Sequence, residues 1–588
     1  MPQKTPDIEH GRTSQSALIP EKPRIEEDDL DTTWLDLRTI VILFFGIVPS
    51  IIASAMSLTI IAASMANISI QLGDTSQLVW MQTSYMLTLG ISEQWVSKIR
   101  YSLDRRNIFL VSAVIFAIGS AVSGASLTLY MLAIGRAIQG MGSGGLLAVS
   151  HALVQDVVPE HKLSEFKGHV GFLTACSYIF GPLLGGFLND QGLWRWCFYV
   201  MLPVIGLSMI VVLALLKNYT PATNTLAEEM KCFDVWGVLS LLSSFTLILL
   251  GLGWHQTSLV IPGHACPADS RHSPARSRDP LLPVDILKIR NPLTISITQF
   301  FIGVDLFSEA FFLPLYFTFV KNNSAQQCGA ELLSFFVSYG FFWIIAGLWL
   351  DVYGYFRQLV WLGGAVRGMS IGLLLYLNVY TDGFQIGYLL CGGMGLGLLT
   401  KPGKAGAQAA VNTTREKTDV ESNLNFWRTI GGMIGIAITG AVFTNLLATS
   451  LCNDVGGSAC PYTNPSASWL GQGGITLPDH SPNVPVGTVI PPMMEAYIDA
   501  LNVIFKLWIP MACLAFFVSL FLENKHVGIC KFIDEDNKFN AAKKEQQMAA
   551  KKEQQITPKK EQQIAAKKEQ QKKARENAPK LQPDLWDY

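Results

Sequence analysis

Residues 129–153 read LYMLAIGRAIQGMGSGGLLAVSHAL, and at their centre stands Gly135-Arg136-Ala137-Ile138-Gln139-Gly140-Met141-Gly142-Ser143-Gly144-Gly145. The run carries one charge and is long enough to cross a ~30 Å hydrocarbon core as a helix. A guanidinium at that depth costs at least about 2.5–3.5 kcal/mol, so Arg136 should face a polar cavity or a partner. Gln139 lies three residues on, on the same helical face. The glycines, two to five apart, let a second backbone approach closely. The plainer reading is a packing helix with a snorkelling arginine.

Outward from this run, the chain repeats the pattern. Apolar runs lie at about 38–64, 76–96, 108–127, 129–153, 168–188, 196–216, 234–254, 293–320, 328–350, 358–378, 383–402, 424–447 and 501–522, thirteen in all. The 588 residues are 50% hydrophobic and only 15% charged, against about 25% charged in a soluble protein. The mean hydropathy is +0.32. The fold class is therefore an all-α, multi-pass membrane protein. A net charge of −1 excludes a basic nucleic-acid binder, and ten scattered cysteines without a CxxC pair argue against a zinc site or a disulfide scaffold.

Orientation follows from the placement of Lys and Arg. Lys98, Arg100, Arg105 and Arg106 follow the second run, which puts that loop and the polar, acidic tail 1–36 in the cytoplasm. The loop 449–500 has no Lys or Arg and reads as external, with Cys452 and Cys460 as a candidate disulfide. The tail 523–588, with KKEQQ at 543–547, 551–555, 559–563 and 567–571, reads as cytoplasmic. Two internal tails need an even number of crossings, and thirteen is odd. The stretch HACPADSRHSPARSRDP, with Arg271, Arg276 and Arg278, is too polar to cross. Either a span is missing after residue 254, or the run 234–254 is re-entrant, or that polar loop is forced outside.

A second group of signals is ordered along the chain. Arg136-Ala137-Ile138-Gln139-Gly140 is followed by Gly181-Pro182-Leu183-Leu184-Gly185-Gly186 and then by Trp194-Arg195-Trp196-Cys197-Phe198-Tyr199. Pro280-Leu281-Leu282-Pro283, Leu313-Pro314-Leu315-Tyr316-Phe317 and Asn425-Phe426-Trp427-Arg428-Thr429-Ile430-Gly431-Gly432 come after them. In this order the set resembles the major facilitator superfamily, and within it the fungal-type fourteen-span drug:proton antiporters that include toxin efflux pumps. The resemblance covers about residues 37–523. It implies two six-helix bundles, 37–216 and 292–522, joined by a linker 217–291 with an inserted helix. Substrate would bind between the bundles, and the halves would rock to release it. The family's Arg-containing motif maps to Arg136, Gln139 and Gly140, and its antiporter motif to Gly181, Pro182, Gly185 and Gly186.

Two departures stand out. The first run reads Ala55-Met56-Ser57-Leu58-Thr59-Ile60, with Ser57 where the family carries an acidic residue. Of the latch motif after the second run, only Arg105 and Arg106 remain, with Ser97, Tyr101 and Asp104 at its other key positions. The second-half copy keeps Gly347, Asp351, Gly354 and Arg357, and the gating role is expected of Arg105, Arg106, Asp351, Gly354 and Arg357. Asp305 and Glu309 lie four apart on one helical face near mid-membrane. A carboxyl pair in low dielectric can hold a proton. With Arg367 and Arg136, the pair is the candidate proton-coupling set, the alternative being a structural ion pair.

Trp80, Gln82, Tyr85, Trp427 and Arg428 are candidates to line a cavity for flat amphipathic substrates, although Trp80 equally suits an interfacial anchor. Sequons at Asn67 and Asn322 fall at external ends, while those at Asn218 and Asn412 fall inside. No GxxxxGK[ST] stretch and no soluble catalytic module are visible, so the expectation is a secondary transporter, not an enzyme or ATP-driven pump. It would need no cofactor or metal, act as a monomer in the plasma or vacuolar membrane, and export small molecules against protons. An importer of a nutrient or iron chelate, or a degenerate non-transporting paralogue, are the competing readings.

Overall fold

The computed structural model describes residues 41–72, 78–100, 103–158, 160–215, 235–253, 284–321, 323–377, 383–454, 491–523 and 567–573. A π-helical stretch, Ile42–Ile47, leads into α1 (Val48–Thr59), where Pro49 cannot donate to the regular helical ladder. Then follow α2 (Met65–Leu72), α3 (Leu78–Ile99), α4 (Arg105–Gly124), α5 (Leu129–Val157) and α6 (Glu160–Asp190). The short α7 (Trp196–Tyr199) precedes α8 (Met201–Leu215), and α9 (Val235–Gly253) and α10 (Val284–Leu287) come next. The second half holds α11 (Arg290–Phe319), α12 (Ala325–Tyr353), α13 (Phe356–Leu374), α14 (Phe384–Gln408), α15 (Thr414–Asp454) and α16 (Pro491–Ser519). Every apolar run read from the sequence overlaps a helix among the described residues. Eight of the described helices are long and apolar enough to cross a membrane, while α1 and α9 supply shorter apolar segments.

Local chemistry sets the ends. Asp104 accepts the Arg106 N–H at 3.1 Å to start α4, and Thr128 accepts from Met131 at 3.2 Å to start α5. Ser324 and Gln327 form a reciprocal capping box at the start of α12. Gly354 ends that helix at φ 70°, a left-handed conformation that favours glycine, and its N–H reaches the Leu350 carbonyl at 2.9 Å.

The most extensive helix pairs lie within each half of the chain, except that α6 packs more on α12 than on α1. In the first half α5 packs on α3 and α4, and α6 on α1; in the second, α14 packs on α12 and α13, and α15 on α11. Two pairs join the halves: α6 with α12, and α3 with α15. Glycines make the first crossing close. A Cβ on Gly186 would strike the Ala325 carbonyl, and one on Gly329 would lie 2.5 Å from the Pro182 carbonyl. Asp190, the last residue of α6, accepts from the N–H groups of Ala325 and Gln326 at 3.0 and 2.9 Å. At the other crossing, Ser97 pairs with Ser422 at 2.6 Å and Lys98 with Asp419 at 3.2 Å.

These contacts order the helix ends on two faces. Lys98 is on the basic face, and Asp419 joins the start of α15 to it. Asn423 donates to Ser296 at 3.1 Å, which brings the start of α11 to the same face. Arg106 reaches the Leu213 carbonyl at 3.1 Å, which brings the end of α8 there too. The segment between α8 and α11 therefore leaves and rejoins one face, and its helix α9 packs against α3 and α15. Twelve of the thirteen apolar runs read from the sequence lie outside that segment, an even number. The odd count thus belongs to 216–289 alone, and the polar loop within it lies outside the described residues.

Candidate functional site

Among the described residues, three polar assemblies lie inside the helix layers. The first is built on Arg136, fully buried in α5. Its guanidinium donates to Gln139 Oε1 at 2.7 Å, Gln82 Oε1 at 3.2 Å and the Met81 carbonyl at 3.3 Å, and it lies 3.9 Å from the centre of the Tyr85 ring. Gln139 donates onward to Ser120 at 2.7 Å and Ser57 at 3.5 Å. Tyr85 donates to Ser143 and to the Ser54 carbonyl. All of these partners are neutral. The network ties α1, α3, α4 and α5 together, and Ser57 takes part as a hydroxyl that accepts from Gln139. Gly140 admits α3, since a Cβ there would strike the Tyr85 carbonyl.

The second assembly joins α11 to α13. Arg367 Nε donates to Asp305 Oδ2 at 2.6 Å, and Arg367 Nη2 pairs with Glu309 Oε2. All three side chains are buried, at 2%, 1% and 3% exposure for Asp305, Glu309 and Arg367. Two carboxyls thus share one guanidinium. Asp305 Oδ1, Glu309 Oε1 and Arg367 Nη1 have no protein hydrogen-bond partner. Gly392 and Gly395 of α14 make room, since a Cβ on either would press on Arg367.

The third is a cavity of about 180 Å³ between the halves. Its charged or basic walls are Glu93 of α3, His151 of α5, Lys401 and Lys404 of α14, and Glu421 and Arg428 of α15. Phe307, Tyr178, Tyr339 and Trp343 supply aromatic faces. Asn425 donates to Glu93 at 2.8 Å and accepts from Arg428 at 3.5 Å, so one amide bridges opposite charges across the two halves. Lys404 stands 4.0 Å from Glu421, and Lys401 lies 4.0 Å from the Trp343 ring centre. The lining stretches of α3, α5, α6, α12, α14 and α15 all belong to the half of the molecule nearer the basic face.

The expected residues divide among these assemblies. Arg136, Gln139 and Gly140 meet in the first, and Asp305, Glu309 and Arg367 in the second. Arg136 is not part of the carboxyl set. Of the five residues expected to line the cavity, only Arg428 does. Gln82 and Tyr85 are consumed by the Arg136 network, Trp427 packs against Phe300 and Phe426, and Trp80 packs on the apolar core. Gly185 abuts the Ile60 carbonyl at the end of α1, while Gly181 abuts Thr59. Arg105 donates to the Arg100 carbonyl at 3.3 Å and Arg106 to α8, whereas bonds to the other half come from Ser97 and Lys98. Arg357 lies 4.1 Å over the Trp361 ring, and Asp351 is exposed on the last turn of α12. Asn322, Asn218, Cys460 and the side chains of Asn67 and Cys452 lie outside the described residues.

Glu93, Lys404 and Glu421 were missed in the sequence. Glu93 falls inside the apolar run 76–96, the same signal that singled out Asp305 and Glu309. Lys404 and Glu421 sit at run ends, where charge is ordinary.

The profile of the Major Facilitator Superfamily matches residues 47–438. The "Acurin A biosynthesis cluster MFS-type transporter" of Aspergillus aculeatus is 28% identical over 70% of this chain and 77% of its own length. "Efflux pump FUS6" of Gibberella moniliformis is 26% identical over 82% and 87% respectively. Among solved structures, a bacterial homologue of the human lysosomal transporter Spinster, inward-facing and unoccupied, superposes with a TM-score of 0.56. It is 13% identical, covering 83% of this chain and 98% of the other.

Proposed function

The chain belongs to the Major Facilitator Superfamily and is a multi-pass membrane transporter rather than an enzyme, and from that premise we propose that it exports small amphipathic compounds in exchange for protons. The names of its fungal relatives, which include efflux pumps, support the direction. The observation that carries the proton side is the sharing of Arg367 by Asp305 and Glu309. With both carboxyls ionised the trio carries a net charge of −1 in a buried site. One bound proton makes it neutral. Charge buried in the membrane is costly, so the loaded and unloaded trios favour different degrees of water access. A step between them couples proton binding to the arrangement of α11 and α13.

The path from this site to the cavity is short. A Cβ on Gly303, two residues before Asp305, would strike the backbone carbonyl of Arg428, which lines the cavity. A shift of α11 on proton binding is therefore felt by α15 at the cavity wall. The two helix sets would rock about the α6–α12 and α3–α15 crossings, with the basic face cytoplasmic. In cells, export of an amphipathic dye should be blocked by a protonophore. The D305N/E309Q double variant, at matched surface expression, should lose that export. Unchanged, protonophore-insensitive export by both proteins would remove the proposal.

A further inference from the structure

The three assemblies treat their charges differently. Arg136 is saturated by neutral acceptors, and Arg367 holds two carboxylates. Arg428 is neither. Among the described residues no carboxylate bonds it, its Nη2 makes only a long bond, 3.5 Å, to the neutral amide oxygen of Asn425, and its buried Nε has no partner. Lys401 rests on the face of an aromatic ring. By contrast both cavity carboxylates already have donors: Asn425 serves Glu93 at 2.8 Å, and Gln408 serves Glu421 at 3.3 Å. Of the charged residues on the cavity wall, the one with a buried polar atom left without a partner is thus a donor, Arg428 through its Nε. Formal charge agrees. Lys401, Lys404 and Arg428 face Glu93 and Glu421, and exposed Asp351 acts on Lys401 only from beyond the wall.

We infer that the cavity takes amphipathic organic anions, with Arg428 as the hook for the anionic head. A guanidinium presents paired N–H donors that match a carboxylate or sulfonate, and such charge-assisted bonds are stronger than neutral ones. Lys404, also on the wall, adds positive potential. Tyr178, Tyr339 and Trp343 offer flat faces to an aromatic body. Glu93 sits one amide away from Arg428 and opposes the bound anion, so it limits affinity and favours release. An organic cation of the same shape meets three cationic side chains against two carboxylates, each of which already accepts one amide hydrogen bond. The inference gives the substrate class for the export reading and rests on it for the cavity's role, but binding itself needs no gradient.

The test compares two probes with one body and opposite heads: 2-naphthoxyacetate and 2-(2-naphthoxy)ethyltrimethylammonium. Binding is measured by Trp fluorescence on the purified full chain in phosphatidylcholine nanodiscs. The acid should bind at least tenfold tighter than the cation, and Arg428→Gln should weaken the acid about tenfold without weakening the cation, which loses a like-charged neighbour. Arg428→Lys should retain much of the acid's affinity, and Glu93→Gln should tighten it by about threefold. Thermal unfolding of each variant separates misfolding from lost binding. Where Arg428→Gln fails to fold, the Arg428→Lys and Glu93→Gln results decide. Equal or tighter binding of the cation, or weaker acid binding in Glu93→Gln, overturns the inference. Anion preference in a chain that shows no protonophore-sensitive export contradicts the export reading and leaves the binding site standing.

Discussion

At the scale of single residues, Arg367 and Arg136 differ in what their removal leaves behind. Arg367→Gln strands Asp305 and Glu309 as buried carboxyls without a counter-charge, a change that typically costs about 3–5 kcal/mol. The expected outcome is a large fall in thermal stability in detergent, restored when the carboxyls are removed in D305N/E309Q/R367Q. A triple variant no more stable than the single one would contradict the ion-pair account. Arg136→Lys keeps the charge but has no fork to reach Gln139, Gln82 and Met81 together. We expect transport to fall by roughly tenfold with assembly intact, about 1.4 kcal/mol in a step that depends on that geometry. Much of this was legible in the sequence, because a charge in an apolar run must find a partner. Which partner was not legible. Arg136 and the Asp305–Glu309 pair looked like parts of one coupling set, yet they sit in separate halves, and the distance along the chain says nothing about that.

At the scale of helices, the glycines of α6 are where packing tolerates no addition. Gly185 meets the carbonyl of Ile60, and Gly186 that of Ala325, so the same turn touches α1 on one side and α12 on the other. Gly186→Ala forces the two halves apart at their crossing and should abolish export while the protein still reaches the membrane. The cost in stability should be about 1–3 kcal/mol, the usual range for overpacking. Normal export by Gly186→Ala would mean the crossing is looser than the contacts imply. The motif was readable as a tight-packing element from its small residues. Its division of labour between α1 and α12 depends on how α6 is rotated about its own axis, which apolar periodicity does not specify. The cavity residues illustrate the same limit. Trp80 and Tyr85 lie on α3 with Glu93, but a helix presents different faces to its neighbours, and the face toward α15 carries Glu93 and Ser97.

At the scale of the whole molecule, α3 and α15 lock the halves near the basic face through Glu93–Asn425, Ser97–Ser422 and Lys98–Asp419. This polar ladder stands where the family's loop latch has lost its glycines. Exchanging the charged pair as K98D/D419K should retain transport, whereas K98D alone should lower it severalfold; equal activity of all three would mean the pair is incidental. The helical class and the positions of the apolar runs were legible throughout, since membrane length and hydropathy are local properties. The sidedness of the segment between α8 and α11 came only from contacts between distant helix ends. A glycosylation acceptor near Ser273 tests it, modification marking an external loop.

The claim on which the account turns is that Asp305 and Glu309, held by Arg367, carry the transported proton. Its most direct measurement is proton movement in sealed proteoliposomes containing a pH-sensitive dye, started by adding 2-naphthoxyacetate without an imposed gradient. The wild-type chain should move protons opposite to the substrate. The D305N/E309Q variant should still bind the substrate and move none. Proton movement in that variant at the wild-type rate would contradict the account.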